Sequence, residues 1–322
     1  MTSKRLTVRT VTTVAIASAM TIGLGGLTGA AHAATTSFDV LCTPTDPGLT
    51  ELSGLAVADA RMYAIGDSGA DDQIAELDTN CQVTRWMPVG APTVDVEDLD
   101  ATADGALWLA DIGDNNKVRS SISLIGFDPD TGTSTTHPLA YPDGAHDAEA
   151  LLIQNDGLPV IVTKDYLGAS YVYTPTDRTS IHNLGTSTPT PLSNVGHLQF
   201  TPTLTPGGPL TGAGTMAVTG GAVSKDGTVV ALRTYTDVYL YLAPDGDVVK
   251  ALTTRAIRVP LPNEPQGEAI TFNDDGDLIS GSETRGGPMP PLRILRGATE
   301  IAESGNPSGS LGSLGSTGST GS

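Results

Sequence analysis

Glu268-Ala-Ile-Thr-Phe-Asn-Asp-Asp-Gly276 is an acidic-headed apolar run that ends in an Asp-Gly turn, and the same arrangement recurs along the chain. Glu97-Asp-Leu-Asp-Ala leads to Asp104-Gly105, Glu149-Ala-Leu-Leu-Ile to Asp156-Gly157, and Thr219-Gly-Gly-Ala-Val to Asp226-Gly227. In all four the first residue stands eight positions before the turn glycine. Glu51-Leu-Ser-Gly-Leu opens a fifth copy in a weaker register, with Asp59-Ala60 as its turn. Strand-forming runs on both sides of such turns read as hairpins. Each second run then ends in polar residues: Gly66-Asp67, Ala110-Asp111, Lys164-Asp165, Arg233-Thr234 and Ser282-Glu283.

The starts are 46, 52, 70 and 49 residues apart. A period near fifty marks a four-stranded propeller blade, because one such sheet cannot cover both of its faces until neighbours stack on it. The expected fold is an all-β propeller of five blades. Six is the alternative, since the 70-residue interval holds a Thr- and Pro-rich stretch from Ser180 to Pro209 that reads as a loop insertion or a degenerate blade. An irregular β-sandwich would have to repeat one turn register by coincidence.

The ends of the chain read differently. Lys4, Arg5 and Arg9 precede an apolar, small-residue stretch from Val11 to Leu27 and then Ala31-His32-Ala33. That order is a secretory leader over residues 1–33, cleaved after Ala33. Glycines at 23, 25, 26 and 29 interrupt the stretch, which falls short of the ~20 apolar residues a spanning helix needs. Val40 and Leu41 before Cys42 are not a lipobox. The reading is therefore a secreted protein with no membrane span, a body over residues 36–303, and a Gly/Ser-rich tail over 304–322 that cannot bury a core. Cys42 and Cys81 are the only cysteines, and in an oxidising compartment they are expected to form a disulfide.

Without Lys4, Arg5 and Arg9 the 17 basic residues fall to 14 against 36 acidic ones, a net charge of −22. Such a chain repels nucleic acid and attracts divalent cations. In a propeller the first residues of the inner strand and the last of its neighbour meet at one channel mouth. That gathers Glu51, Glu97, Glu149 and Glu268 beside Asp67, Asp111, Asp165 and Glu283, with Asp98, Asp114 and Asp147 close in sequence. So many carboxylates need neutralising, by Ca2+ held through oxygen ligands or by Lys117, Arg119, Lys164, Arg233 and Arg285. The competing role for an inner-strand Glu is to accept backbone amides and hold the ring shut. His146, beside Asp147, is the one histidine of interest, as a base or as a satisfied core residue. Thr271 and Ser282 at the end positions exclude an EF-hand around Asp275-Gly-Asp277, and no Gly-x-Ser-x-Gly elbow is present.

Glu51-Leu-Ser-Gly-Leu, Val96-Glu97-Asp98-Leu99, Asp111-Ile-Gly-Asp114-Asn115 with Arg119, Asp147-Ala-Glu149, Asp226-Gly227 through Tyr235, and Gln266-Gly-Glu268-Ala-Ile resemble the secreted propellers of the phytase-like, "esterase-like activity of phytase" group. The likeness spans Glu51 to Glu283. It implies a Ca2+-binding acidic mouth, with Lys164, Arg233 and Arg285 turned to substrate. The acidic mouth with cations close to it points to a metal-dependent hydrolase of a phosphate ester, carboxylic ester or lactone, and the resemblance implies action on phosphate groups. Thr219 departs from that pattern, standing where the four other copies carry Glu. The alternative is a non-catalytic extracellular propeller that binds a surface protein or glycan. A quinone-dependent dehydrogenase is a third class, for which the chain offers no aromatic cofactor bed, having only Trp86 and Trp108. A monomer is expected.

Overall fold

Gly105, Gly157, Gly227 and Gly276 all adopt positive φ, between 75 and 85°, which is the left-handed conformation that the repeated Asp-Gly turns require. The computed structural model describes residues 37–305 apart from residue 68. The leader and all but the first two residues of the tail lie outside the described residues. In the first copy Asp59 and Ala60 take left-handed φ themselves and close a two-residue turn between Ala58 and Arg61. That shorter turn explains the weaker register of the first repeat.

Among the described residues the strands form five four-stranded antiparallel units. The first holds β2 (Leu52–Ala58), β3 (Arg61–Gly66), β4 (Gln73–Leu77) and β5 (Val83–Pro88). The second holds β6 (Val96–Ala101), β7 (Leu107–Asp111), β8 (Ile122–Asp128) and β9 (Thr133–Ala140). The third holds β10 (Ala148–Ile153), β11 (Pro159–Thr163), β12 (Ala169–Pro175) and β13 (Thr190–Gln199), and a two-residue parallel pairing joins β13 to β9. The fourth holds β14 (Val218–Val223), β15 (Val229–Thr234), β16 (Asp237–Leu242) and β17 (Ile257–Pro260). The fifth combines β18 (Gln266–Phe272), β19 (Leu278–Glu283) and β20 (Leu292–Leu295) with β1 (Asp39–Cys42) from the other end of the body.

The first strands β2, β6, β10, β14 and β18 adjoin in cyclic order, with β18 next to β2. Five apolar clusters fill the spaces between successive units, so each sheet buries its two faces on its neighbours. The chain is therefore a β-propeller. The Thr- and Pro-rich stretch builds no further sheet: it supplies β13 and then a strap over residues 200–217. Cys42, at the end of β1, is disulfide-bonded to Cys81 in the first unit and so fastens the last unit to the first. Closing a 39-residue loop is worth about 3–4 kcal/mol by the chain-entropy model. The helices are short: α1 (Val248–Leu252) and α2 (Ala298–Ser304), the latter running one residue past the expected end of the body. Among the described residues no helix is long and apolar enough to cross a membrane.

Candidate metal centre at the channel mouth

The first strand of every unit carries a break in register at its second or third residue, between Leu52 and Gly54, Val96 and Asp98, Ala148 and Ala150, Val218 and Gly220, and Gly267 and Ile270. A bulge re-aims one side chain out of the ladder. The bulged residues are Ser53, Glu97, Glu149, Thr219 and Glu268, which places the acidic heads of three repeats at one level of the channel. In the first unit that place belongs to Ser53, whose hydroxyl donates to the Glu97 carbonyl at 2.8 Å. Glu51 sits two residues earlier and is exposed. The sequence register of the first repeat was offset by two because its turn lacks the extra residues of the others. Thr219 acts as Ser53 does, donating to the Gly267 carbonyl at 2.9 Å.

Carboxylate oxygens of Glu97, Asp147 and Glu149, all buried, lie within 4.8 Å of one another, and those of Asp67, Asp95 and Glu97 form a second such group. Glu97 belongs to both. Asp67, Glu97, Glu149, Glu268, Gln266, Asn115 and Lys164 share a cavity of about 340 Å3 with Tyr166, Tyr235, Pro209 and Leu210. Lys164 forms a buried ion pair with Glu149, and its Nζ lies 5.5 and 5.9 Å from the ring centres of Tyr235 and Tyr166. It is the one cation in the lining. Oε2 of Glu149, Oε2 of Glu268 and Oε1 of Glu283 are buried without a hydrogen-bond donor. Such orphaned oxygens call for a proton or a cation.

Burial, followed by repulsion from Glu149, Asp67 and Glu268, holds the Glu97 carboxyl well above the usual range. Burial also pushes Glu149 up to about 8, in spite of Lys164. Glu268 is raised well above its ordinary value by burial and then by the Glu283 carboxyl beside it. Glu283 is itself raised by burial. Burial disfavours the Lys164 ammonium, but Glu149, Tyr235, Glu268 and Glu97 outweigh it and keep the group charged.

The remaining sequence candidates are placed elsewhere or are spoken for. Asp98 lies one residue beyond the bulge and accepts the amides of Leu99 and Leu151 at 2.9 Å and of Gly221 at 3.2 Å, tying three units together across the channel. Asp111 accepts the Asp95 amide and an Arg119 Nη1 donor at 2.9 Å. Asp114 accepts the amides of Val118 and Arg119, while its own amide donates to Asp147. Asp165 caps a turn at Leu167. Arg233 is wholly buried, paired with Glu264 and donating to the Ala269 and Gly281 carbonyls and to Ser280. Arg285 and Lys117 are exposed and do not line the cavity. His146 turns away from the cavity, its Nε2 lying 3.0 Å from Asp143 and 2.9 Å from the Tyr173 hydroxyl among tyrosine rings. Of the basic candidates, only Lys164 stands in the mouth.

Sequence reasoning missed Asp95, Asn115, Tyr166, Tyr235, Gln266 and Leu210 as lining or neighbouring groups. Asp95 carried a usable signal, since it precedes Glu97 by the two residues that separate Asp147 from Glu149. Tyr235 did too, because it directly follows β15 as Lys164 follows β11.

The fold and mouth together define a propeller with a carboxylate-lined channel entrance. No family model and no curated protein matches the chain. Among solved structures it is similar to the glutaminyl cyclase of Myxococcus xanthus, at 12% identity and a TM-score of 0.48, covering 80% of this chain and 95% of that one. It is also similar to a gluconolactonase from Xanthomonas campestris, at 14% identity and a TM-score of 0.41, covering 76% and 71% of the two chains.

Proposed function

We propose that the channel mouth is a Ca2+ site and that the protein is an exported, phytase-like propeller acting as a metal-dependent hydrolase of a small ester or lactone. The observation that carries this is the buried group of Glu97, Asp147 and Glu149 with an orphaned Glu149 oxygen facing no donor. Oxygen-only ligands of this charge suit a hard divalent cation. Glu97, Asp147 and Glu149, with Asp67 and Asp95 beside them, would hold it. The Cys42–Cys81 bond supports an oxidising compartment.

Calcium, when bound, supplies Lewis-acid polarisation of the carbonyl or phosphoryl oxygen and a lowered water pKa. The chain contributes the rest. Lys164, fixed by Glu149 and by two tyrosine faces, offers a donor to the acyl oxygen. Water adds to the acyl carbon, the acyl–oxygen bond breaks as a proton passes from the Glu268 carboxyl to the leaving oxygen, and the proton that the water gives up restores the Glu268 carboxyl. With Arg233 and Arg285 outside the cavity, a carboxylic ester or lactone suits the site better than a phosphate ester, whose charge would meet one ammonium already paired.

The test is turnover of an ester, lactone and phosphoester panel by the full chain with Ca2+ or with chelator, accompanied by metal analysis. Calcium-dependent cleavage that disappears in Glu97→Gln supports the reading, while complete inactivity with metal bound removes the hydrolase. A non-catalytic propeller that binds a surface protein or glycan is favoured by one observation: Glu149 already neutralises the one cation in the mouth. That alternative is the outcome if calcium raises the melting temperature without any turnover.

A further inference from the structure

The long third interval of the repeat ends in a strap that the metal site leaves unexplained. After β13 the chain crosses Thr203 and Thr205, whose hydroxyls each donate to the wholly buried Asp237 at 2.7 Å, and Arg258 completes that anchor. It then passes over Tyr235 so closely that a Cβ on Gly208 would stand 2.7 Å from the tyrosine Cβ. Gly208 takes φ of +70°, and its amide donates to the Glu264 carbonyl at 2.8 Å. Just beyond Leu210, the Gly214 amide donates back to the Leu210 carbonyl at 2.9 Å. Leu210 is thus pinned on both sides, yet the residue is 47% exposed and lines the mouth cavity beside Pro209. A strap held by this many hydrogen bonds thus carries an apolar side chain into the lining of a polar cavity.

The cavity lining therefore combines the carboxylates and Lys164 with Pro209, Leu210 and the rings of Tyr166 and Tyr235, between which Lys164 stands. We infer that Leu210 and Pro209 form an apolar subsite that selects an uncharged ester or lactone bearing an apolar arm of several carbons, with the ester group directed to the carboxylates and Lys164. This rests on the hydrolase reading for the chemistry, but the subsite itself is a binding property.

The test compares δ-valerolactone with δ-decalactone as substrates of the Ca2+-loaded full chain, and measures by calorimetry the binding of the pentyl-substituted δ-lactam, which is not cleaved. The longer lactone should show a KM lower by about tenfold, the scale expected for a few methylenes in an apolar pocket. Leu210→Ser should collapse that ratio towards one and weaken lactam binding about tenfold. Leu204→Ser, a change at a fully exposed strap residue outside the cavity, should keep the ratio and the lactam affinity. Absent turnover with lactam binding that depends on Leu210 upholds the subsite while removing the hydrolase. Lactam binding that Leu210→Ser leaves intact, no lactam binding at all, or a chain-length preference that survives Leu210→Ser overturns the inference.

Discussion

Glu149 and Asp98 sit on neighbouring inner strands, both buried and both pushed to higher pKa by burial, yet their surroundings are opposite. At the waist of the channel Asp98 takes three backbone amides from three units. At the mouth, one of the Glu149 oxygens meets Lys164 and the other meets no donor. The difference separates a carboxylate that builds the ring from one that waits for a ligand. Acidity and burial are common to both, and only the count of donors tells them apart.

The hardest test of this contrast is Asp98→Ala. It strips the acceptor from the amides of Leu99, Leu151 and Gly221 at roughly 1–3 kcal/mol each, so unfolding free energy should fall by at least about 3 kcal/mol in urea melts, and added calcium should not restore it. A variant with an unchanged urea midpoint would mean that the waist carboxylate is dispensable. Next in size, replacing both Cys42 and Cys81 by Ser should cost about 3 kcal/mol while leaving calcium affinity unchanged, because the crosslink fastens the rim of the ring and touches neither carboxylate level. Calcium affinity that fell together with stability would show that the mouth depends on ring closure.

The pH dependence should have the sign of protonated carboxyls. Glu97 and Glu268 are raised well above the ordinary value of 4.5, so the folded metal-free chain holds protons that the unfolded chain has released. Stability present below pH 4.5 is then lost as pH rises through the raised values of these two carboxyls. Chelated protein should melt at progressively lower temperature over that window, and calcium should flatten the slope; a chelated melt that rises with pH would contradict the mouth electrostatics. The smallest effect is expected for Glu97→Gln in chelator, a gain of about 1 kcal/mol from relieved repulsion, alongside a calcium affinity weakened about tenfold or more. Loss of stability in that variant would move Glu97 to the architectural side of the comparison.

Much of this was legible in the chain. The constant eight-residue spacing from acidic head to turn glycine identified four of the five units, because a hairpin turn has a local chemistry that does not depend on its neighbours. The same spacing placed Glu97, Glu149 and Glu268 at one level. It set Glu51 two residues before the bulge, which falls to Ser53 because the two-residue turn at Asp59-Ala60 changes the count, though Glu51 still meets Glu283 as the pattern implied. The basic residues were the least legible. Lys164, Arg233 and Arg285 stand at similar strand ends, but one faces the cavity, one is buried against Glu264 and one is exposed.

Turn chemistry, strand alternation and the excess of carboxylates are properties of short stretches, and they were enough by themselves to determine a ring of repeated hairpins with acid at one end. Which carboxylates bond amides and which remain orphaned, where the strap crosses, and that Leu210 overlooks the mouth were decided only when five units closed on one another. Those outcomes depend on groups distant in sequence meeting across the channel, as when the Gly221 amide reaches Asp98 from 123 residues away.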